Sequence, residues 1–160
     1  MRSSNDHKSY TVKEATVKLM QFCAYRDRSQ KEVEEKLIDM RMIPAVREKI
    51  IIQLMQENFL SEERFARSFA RGKFRIKKWG RNKIKQELKA REISAPLIKI
   101  ALTEIDEEDY FKTLRDLAEK KLLLLKEKDP FKKRNKLSNY LLQKGFESSL
   151  VYEVTGEFIK

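Results

Sequence analysis

The sequence predicts an all-α fold built as an elongated, curved array of three tandem three-helix repeats. Apolar residues recur three and four positions apart over most of the chain, a spacing that places them on one face of a helix. No segment shows the strict alternation of apolar and polar residues that is typical of a strand. The 160 residues include only 4 Gly and 3 Pro, so turn-forming residues are scarce.

One apolar pattern occurs three times. Its five positions recur at a shift of 51 residues and again at a further shift of 53. The three sets are Val33, Leu37, Met42, Val46 and Ile50; Ile84, Leu88, Ile93, Leu97 and Ala101; and Leu137, Leu141, Phe146, Leu150 and Val154. A period near fifty residues is typical of repeat proteins, whose units pack on their neighbours. We therefore divide the chain into a flexible tail (1–9), repeat 1 (10–60), repeat 2 (61–105) and repeat 3 (106–160).

Each repeat is predicted to contain three helices. The shared pattern supplies the second and third, because two positions four apart precede a break and a further stripe follows it. A separate stripe predicts the first helix of each repeat. These stripes are Ala15, Leu19 and Phe22; Phe65, Phe69 and Ala70; and Phe111, Leu114 and Leu117. The total is nine amphipathic helices.

Capping signals mark the helix starts of repeat 1. Thr11 with Glu14, and Ser29 with Glu32, have the capping-box spacing, in which two side chains satisfy first-turn backbone donors. Pro44 stands at the opening of the third helix, where a missing N–H matters least.

Repeats 2 and 3 carry similar signals. Ser61 and Asp106 precede acidic residues, which the helix dipole favours in a first turn. Pro96 opens the third helix of repeat 2, and Gly145 stands where a left-handed residue would end the second helix of repeat 3.

The positive charge is concentrated in repeat 2. Residues 61–105 hold thirteen Lys or Arg and five Asp or Glu, whereas 11–60 and 106–160 each carry a balance of only +1. Ten basic residues and no acidic one lie between Arg64 and Lys85. Because such a cluster repels itself, we expect an acidic or polyanionic partner. The alternative is a solvated basic face that keeps the protein soluble.

The candidate partner- or DNA-binding residues form a basic patch across the connection between the first two helices of repeat 2. They are Arg71, Lys73, Arg75, Lys77, Lys78, Trp79, Arg81, Lys83 and Lys85. Connections on a rigid scaffold concentrate binding groups, and each cation that reaches a DNA phosphate releases counterions. Trp79 could stack on a base or a partner, or it could close the seam between repeats 1 and 2. Phe74 is assigned to the core.

The amino-acid composition excludes most kinds of metal site and catalytic site. His7 and Cys23 are the only histidine and cysteine, so neither a zinc site nor a catalytic triad outside the tail can be assembled. The glycines form no phosphate-binding loop. The acidic turn 106–109 is interpreted as a helix N-terminus rather than a metal site. We expect no enzyme activity, cofactor or metal, and we expect Cys23 to be a buried apolar residue.

No segment is long enough to cross a bilayer. The longest apolar runs are residues 50–52 and 122–125, far short of a spanning helix. Residues 1–8 are polar and lack the apolar region of a signal peptide. The predicted location is the cytoplasm.

Three blocks of the sequence resemble those of the RecX family of regulatory proteins. Residues 26–37 resemble its RxRS…E…KL opening, 59–66 resemble its YLDDxxFA block, and 80–93 resemble its G…I…EL…GI block. Two departures lie at helix boundaries, where Ser61-Glu62 replaces an acidic pair and Glu92 replaces a glycine.

The resemblance implies a non-enzymatic modulator of the RecA recombinase. Such a protein binds the RecA–DNA filament, in its groove or at its growing end, and inhibits recombinase, ATPase and co-protease activities, so it modulates homologous recombination and the SOS response. Its partners would be the filament and the DNA within it, with no membrane contact. The near-neutral outer repeats are compatible with a monomer.

Two questions stay open at this point. A stand-alone nucleic-acid-binding helical-repeat protein is the alternative function, and binding to bare DNA would distinguish it. The residues Arg26, Asp27 and Arg28 belong to the resembling block, but a local ion pair that holds the turn before Ser29 explains them more simply.

Overall fold

The computed structural model describes residues 9–160, which contain nine α-helices and no strand. The helices are α1 (Val12–Tyr25), α2 (Gln30–Asp39), α3 (Pro44–Gln56), α4 (Glu62–Lys77), α5 (Arg81–Ala90), α6 (Ala95–Leu102), α7 (Glu107–Leu124), α8 (Pro130–Gln143) and α9 (Ser148–Phe158). The predicted all-α fold of tandem three-helix units is confirmed. The predicted tail, apart from Ser9, lies outside the described residues.

The predicted N-caps are formed by side-chain oxygens that accept a backbone N–H three residues later. They are Thr11, Ser29, Ser61 and Asp106. Glu14 completes the capping box at Thr11 by accepting the Thr11 N–H. At the second site the Glu32 carboxylate instead pairs with Arg26, 3.1 Å away. Local sequence therefore fixes where these four helices begin.

The threefold pattern is reproduced in the burial of its members. The first, second, third and fifth positions of each set are buried. The fourth position is half-buried in every repeat, and its three members are Val46, Leu97 and Leu150. Equivalent positions therefore occupy equivalent environments in all three units.

The prediction that Phe111 lies on the buried face of α7 is wrong, because the preceding residue, Tyr110, lies there instead. Phe111 is 39% exposed, whereas Tyr110 is fully buried beside Leu114 and Ala118. The Tyr110 ring packs 5.1 Å from the ring of Phe146, and its hydroxyl donates to Glu147. A buried tyrosine needs a hydrogen-bond partner, and that partner lies in repeat 3 far along the chain.

The buried apolar residues form two clusters. One belongs to repeat 1, and the other runs continuously through repeats 2 and 3. Polar contacts join repeat 1 to repeat 2, since Arg64 Nε lies 2.6 Å from Asp27 Oδ1 and Lys31 Nζ donates to the Ala90 carbonyl.

The turn between the second and third helices uses a left-handed residue in each repeat. Arg41 (φ 63°), Glu92 (φ 60°) and Gly145 (φ 100°) each immediately precede the third position of the shared pattern. Only repeat 3 has glycine there. The Glu62 carboxylate lies near Glu92, and its pKa is raised by burial and by the Glu92 charge.

The substitution Glu92→Gly should raise the free energy of unfolding by about 1 kcal/mol. A side chain in the left-handed region costs roughly 1–2 kcal/mol, partly offset by the greater freedom of glycine in the unfolded chain. Urea unfolding at neutral pH measures the change. Glu92→Gln removes the charge and keeps the strain, so equal stability of the two variants would contradict the backbone explanation.

Candidate functional site

The candidate residues lie at the junction of α4 and α5. Phe74 is buried, as predicted, and anchors the last turn of α4. Lys78 then adopts a left-handed conformation (φ 57°), and its N–H donates to the Phe74 carbonyl. The Trp79 N–H donates to the Lys73 carbonyl, and Gly80 is the N-cap of α5. The chain therefore reverses within three residues and brings the ends of two basic helices together.

Trp79 is the centre of this junction. Lys73 Nζ lies 5.0 Å from the centroid of its ring, and Lys83 Nζ lies 4.7 Å away. The ring of Phe69 meets that of Trp79 edge-on at 6.3 Å. Each cation–π contact of this kind contributes about 0.5–1 kcal/mol at an exposed site. Trp79 is half-buried and packs against the core of repeats 2 and 3, so its placement in the seam between repeats 1 and 2 is wrong.

Repeat 3 adds a cation that the sequence did not indicate. Lys144 Nζ donates to the Lys77 carbonyl at 3.0 Å. Burial lowers the pKa of Lys144, and the nearby charges of Lys83 and Lys77 lower it further. We call Lys73, Lys77, Trp79, Lys83 and Lys144 the Trp79 cluster. Like charges held this close repel one another, and a bound anion would relieve that repulsion.

Backbone hydrogen bonds beside Gly80 and Gly145 hold the cluster together. The Gly80 N–H donates to the Lys144 carbonyl at 2.8 Å, and the Asn82 N–H donates to the Gly145 carbonyl at 2.9 Å. The start of α5 therefore docks directly on the end of α8. Gly145 was predicted only as the end of a helix, and that signal does not indicate that Lys144, the C-cap of α8, joins the lysines of repeat 2.

Four cations of the patch, one of them in the Trp79 cluster, are exposed to solvent. Arg75, Lys77, Lys78 and Lys85 are exposed, and none forms an ion pair within residues 9–160. Lys85 also borders a shallow groove between α5 and α6, beside Ile98. These four side chains are free to meet an external anion.

Arg71 and Arg81 form ion pairs with carboxylates of the same chain, which distinguishes them from the exposed cations of the patch. Arg71 lies 3.2 Å from Glu104, and that glutamate also accepts from Arg67, whose hydrogen bond lowers the pKa of the Glu104 carboxyl. Arg81 is only 17% exposed and lies 2.6 Å from Glu107 and 2.9 Å from Glu147. Its guanidinium also stacks 3.9 Å from the Tyr110 ring centroid.

The substitution Arg81→Gln should lower the free energy of unfolding by about 2 kcal/mol. It leaves the half-buried Glu147 without its cation, and breaking a largely buried pair costs more than losing a surface pair. Urea unfolding measures the loss. Arg75→Gln, at an exposed and unpaired arginine, should leave stability unchanged. Equal stability of the two variants would contradict the structural role of Arg81.

The RDRS segment serves two structural purposes. Arg26 and Arg28 both reach Glu32, at 3.1 and 3.6 Å, as the local ion-pair interpretation predicts. Asp27 instead reaches Arg64 of repeat 2. This segment therefore holds its own turn and also joins the first two repeats.

The structure also bears on the acidic turn, the cysteine and the apolar segments that the sequence analysis considered. Asp106 caps α7 through a hydrogen bond from the Asp109 N–H. No set of three His, Cys, Asp or Glu side chains suited to a metal ion occurs among the described residues. Cys23 is buried as predicted, and burial raises the pKa of its thiol. Over residues 9–160, no helix combines the length and apolarity needed to cross a membrane.

Known proteins resemble this chain in sequence and in fold. The sequence model for the second three-helix domain of RecX matches residues 61–102, and that for the third matches residues 107–155. A regulatory protein RecX of Clostridium perfringens is 34% identical over 122 residues, covering 75% of this chain and 57% of that protein. One of Clostridioides difficile is 28% identical over 145 residues, covering 89% and 66%.

The fold has a solved counterpart. The crystal structure of RecX from Lactobacillus salivarius superposes with a TM-score of 0.82 at 23% identity, covering 91% of this chain and 95% of that one. This chain spans a little over half the length of the clostridial relative from Clostridium perfringens. Since the two domain models together match more than half of its residues, the chain belongs to the RecX family of regulatory proteins.

Proposed function

We propose that this protein binds the RecA–DNA filament through the Trp79 cluster and its exposed neighbours. Binding inhibits the recombinase, ATPase and co-protease activities of the filament and so modulates homologous recombination and the SOS response. The observation that carries the proposal is the convergence of Lys73, Lys77, Lys83 and Lys144, from two repeats, on one surface without a carboxylate partner among residues 9–160.

The electrostatics of the cluster support a large anionic partner. Burial is the main reason that the pKa of Lys144 is lowered, and the like charges of Lys83 and Lys77 lower it further, so holding these ammonium groups together has a cost. A filament presents DNA phosphates and acidic protein groups along its length, so it can meet several of the cations at once. Such contacts speed encounter and weaken with salt.

The proposal is for a regulator without catalytic chemistry of its own. It acts as a monomer in the cytoplasm, where the filament is. The three repeats would lie along the filament, with the cationic repeat 2 at the centre and the near-neutral repeats on either side of it.

Hydrolysis of ATP by RecA on single-stranded DNA tests the proposal. Titration with the full chain should progressively suppress hydrolysis, while RecA without DNA serves as the background. An unchanged rate up to a large molar excess would contradict it.

A stand-alone nucleic-acid-binding protein is the second candidate. The free lysines around Trp79 favour it, since positive grooves with aromatic side chains bind nucleic acid without a protein partner. Fluorescence anisotropy with bare oligonucleotides distinguishes the two functions. Four phosphate contacts would give a log–log salt slope of about −3 to −4 on duplex DNA. Binding only at millimolar protein would exclude this candidate.

A further inference from the structure

Repeat 1 contains a second cationic and aromatic surface, separate from the Trp79 cluster. A groove of about 350 Å³ runs between α1 and α2. Three cations, Lys18, Arg28 and Lys36, line it together with the rings of Tyr10, Phe22 and Tyr25, and no carboxylate of residues 9–160 does. Its lining therefore combines aromatic surface with net positive charge.

Arg28 forms one side of this groove and is held in a fixed position. Its guanidinium lies 3.7 Å from the Phe22 ring centroid, and its Nε donates to the Phe22 carbonyl at 2.9 Å. Its Nη1 lies 3.6 Å from Glu32. With its charge paired and its side chain mostly buried, Arg28 is fixed in place and shapes the groove rather than binding a ligand itself.

The ligand-accessible groups are Tyr25 and two lysines. Tyr25, the last residue of α1, is 84% exposed, more than any other large apolar side chain among residues 9–160. Its ring centroid lies 5.9 Å from the Arg28 guanidinium. Lys18 on α1 and Lys36 on α2 are exposed and form no ion pair in the described part of the chain.

We propose that this groove binds a nucleotide unit of single-stranded nucleic acid. The base stacks on Tyr25, and the phosphate lies between Lys18 and Lys36. A single strand fits these groups better than a duplex does, because its unpaired bases expose the faces that stack on aromatic side chains. An acidic peptide would engage the lysines but would leave the tyrosine ring without a stacking partner.

This inference goes beyond the proposed function, since it needs neither the recombinase nor repeat 2. Its test therefore uses the full chain with nucleic acid alone. Failure of this test would leave the inhibition of ATP hydrolysis untouched, and failure of the ATPase test would leave this site untouched.

Photo-crosslinking locates the contact. An oligodeoxyuridylate that carries 5-iodouracil should crosslink to Tyr25 or its neighbours on α1 and α2, as mapped by mass spectrometry of tryptic peptides. Competition with adenosine monophosphate tests whether the groove binds free nucleotides or a nucleic-acid strand. Loss of the crosslink would indicate free nucleotides as ligands, and its persistence would indicate the polymer.

Anisotropy with labelled oligodeoxythymidylate measures affinity. Tyr25→Ala should weaken binding roughly 5- to 100-fold, as expected for the loss of base stacking, and Lys36→Gln should reduce the salt dependence. Tyr152→Ala, at another exposed tyrosine on α9, is the matched control. Wild-type affinity of the Tyr25→Ala protein, together with no crosslink on α1 or α2, would overturn the proposal.

Discussion

The substitution Gly80→Ala is expected to lower the free energy of unfolding by about 3 kcal/mol or more. A Cβ atom at this position would lie 2.3 Å from the carbonyl carbon of Gly145 and 2.4 Å from the nitrogen of Phe146. These are backbone atoms, so no side-chain rotation can relieve the clash. The start of α5 and the end of α8 would have to separate, breaking the hydrogen bonds from the Gly80 and Asn82 N–H groups.

Two other glycines supply matched controls. Gly72 in α4 and Gly156 in α9 have nothing within 4 Å of a built Cβ atom. Their replacement by alanine should stabilise the protein by about 0.5–1 kcal/mol, because alanine favours a helix. Urea unfolding followed by circular dichroism compares the three variants. A Gly80→Ala protein as stable as wild type would contradict the close docking of repeats 2 and 3.

Reversing the charge of the four lysines in the Trp79 cluster should raise the concentration needed for half-inhibition of RecA by roughly 100-fold or more. Each exposed ion pair contributes up to about 1 kcal/mol, so loss of four such pairs at about 0.7 kcal/mol each removes nearly 3 kcal/mol of binding free energy. The substitutions are Lys73→Glu, Lys77→Glu, Lys83→Glu and Lys144→Glu. Arg81 is left unchanged, because its loss would break the ion pairs with Glu107 and Glu147.

A control of equal charge separates local from overall electrostatics. Four exposed lysines of repeat 3 form no ion pair in the part of the chain that the structure describes, and their reversal changes the net charge equally. They are Lys112, Lys120, Lys126 and Lys132. Inhibition should survive in this variant. Equal losses in both variants would assign the effect to net charge, and full inhibition by the cluster variant would refute the proposed contact.

The helices and their repeat order could be predicted because both depend on short spacings. Val33 and Leu37 lie on one helix face whatever surrounds them, and Ser29 caps α2 through a neighbour three residues away. Tyr110 and Phe111 show where such spacing fails. Both residues fit an apolar stripe. Tyr110 is the buried one, and its hydroxyl donates a hydrogen bond to the carboxylate of Glu147, which is distant in the sequence.

The candidate site, too, could be predicted only in part from the sequence. Sequence alone located the concentration of charge in repeat 2 and the position of Trp79 within it. It could not distinguish the free cations from Arg71 and Arg81, whose partners lie at Glu104, Glu107 and Glu147. It also gave no reason to include Lys144, which lies 67 residues from Lys77 in the chain.

The sequence by itself determined the all-α repeat architecture, the helix boundaries at the capped ends and the cationic character of repeat 2. These properties are set within a few turns of helix, where neighbours in the chain are neighbours in space. Only the tertiary structure decided which charges are neutralised and which are presented together, because the carboxylates that pair with Arg71 and Arg81 lie far from them along the chain. The docking of Gly80 on Gly145 makes that choice, since it brings Lys144 to the lysines of repeat 2.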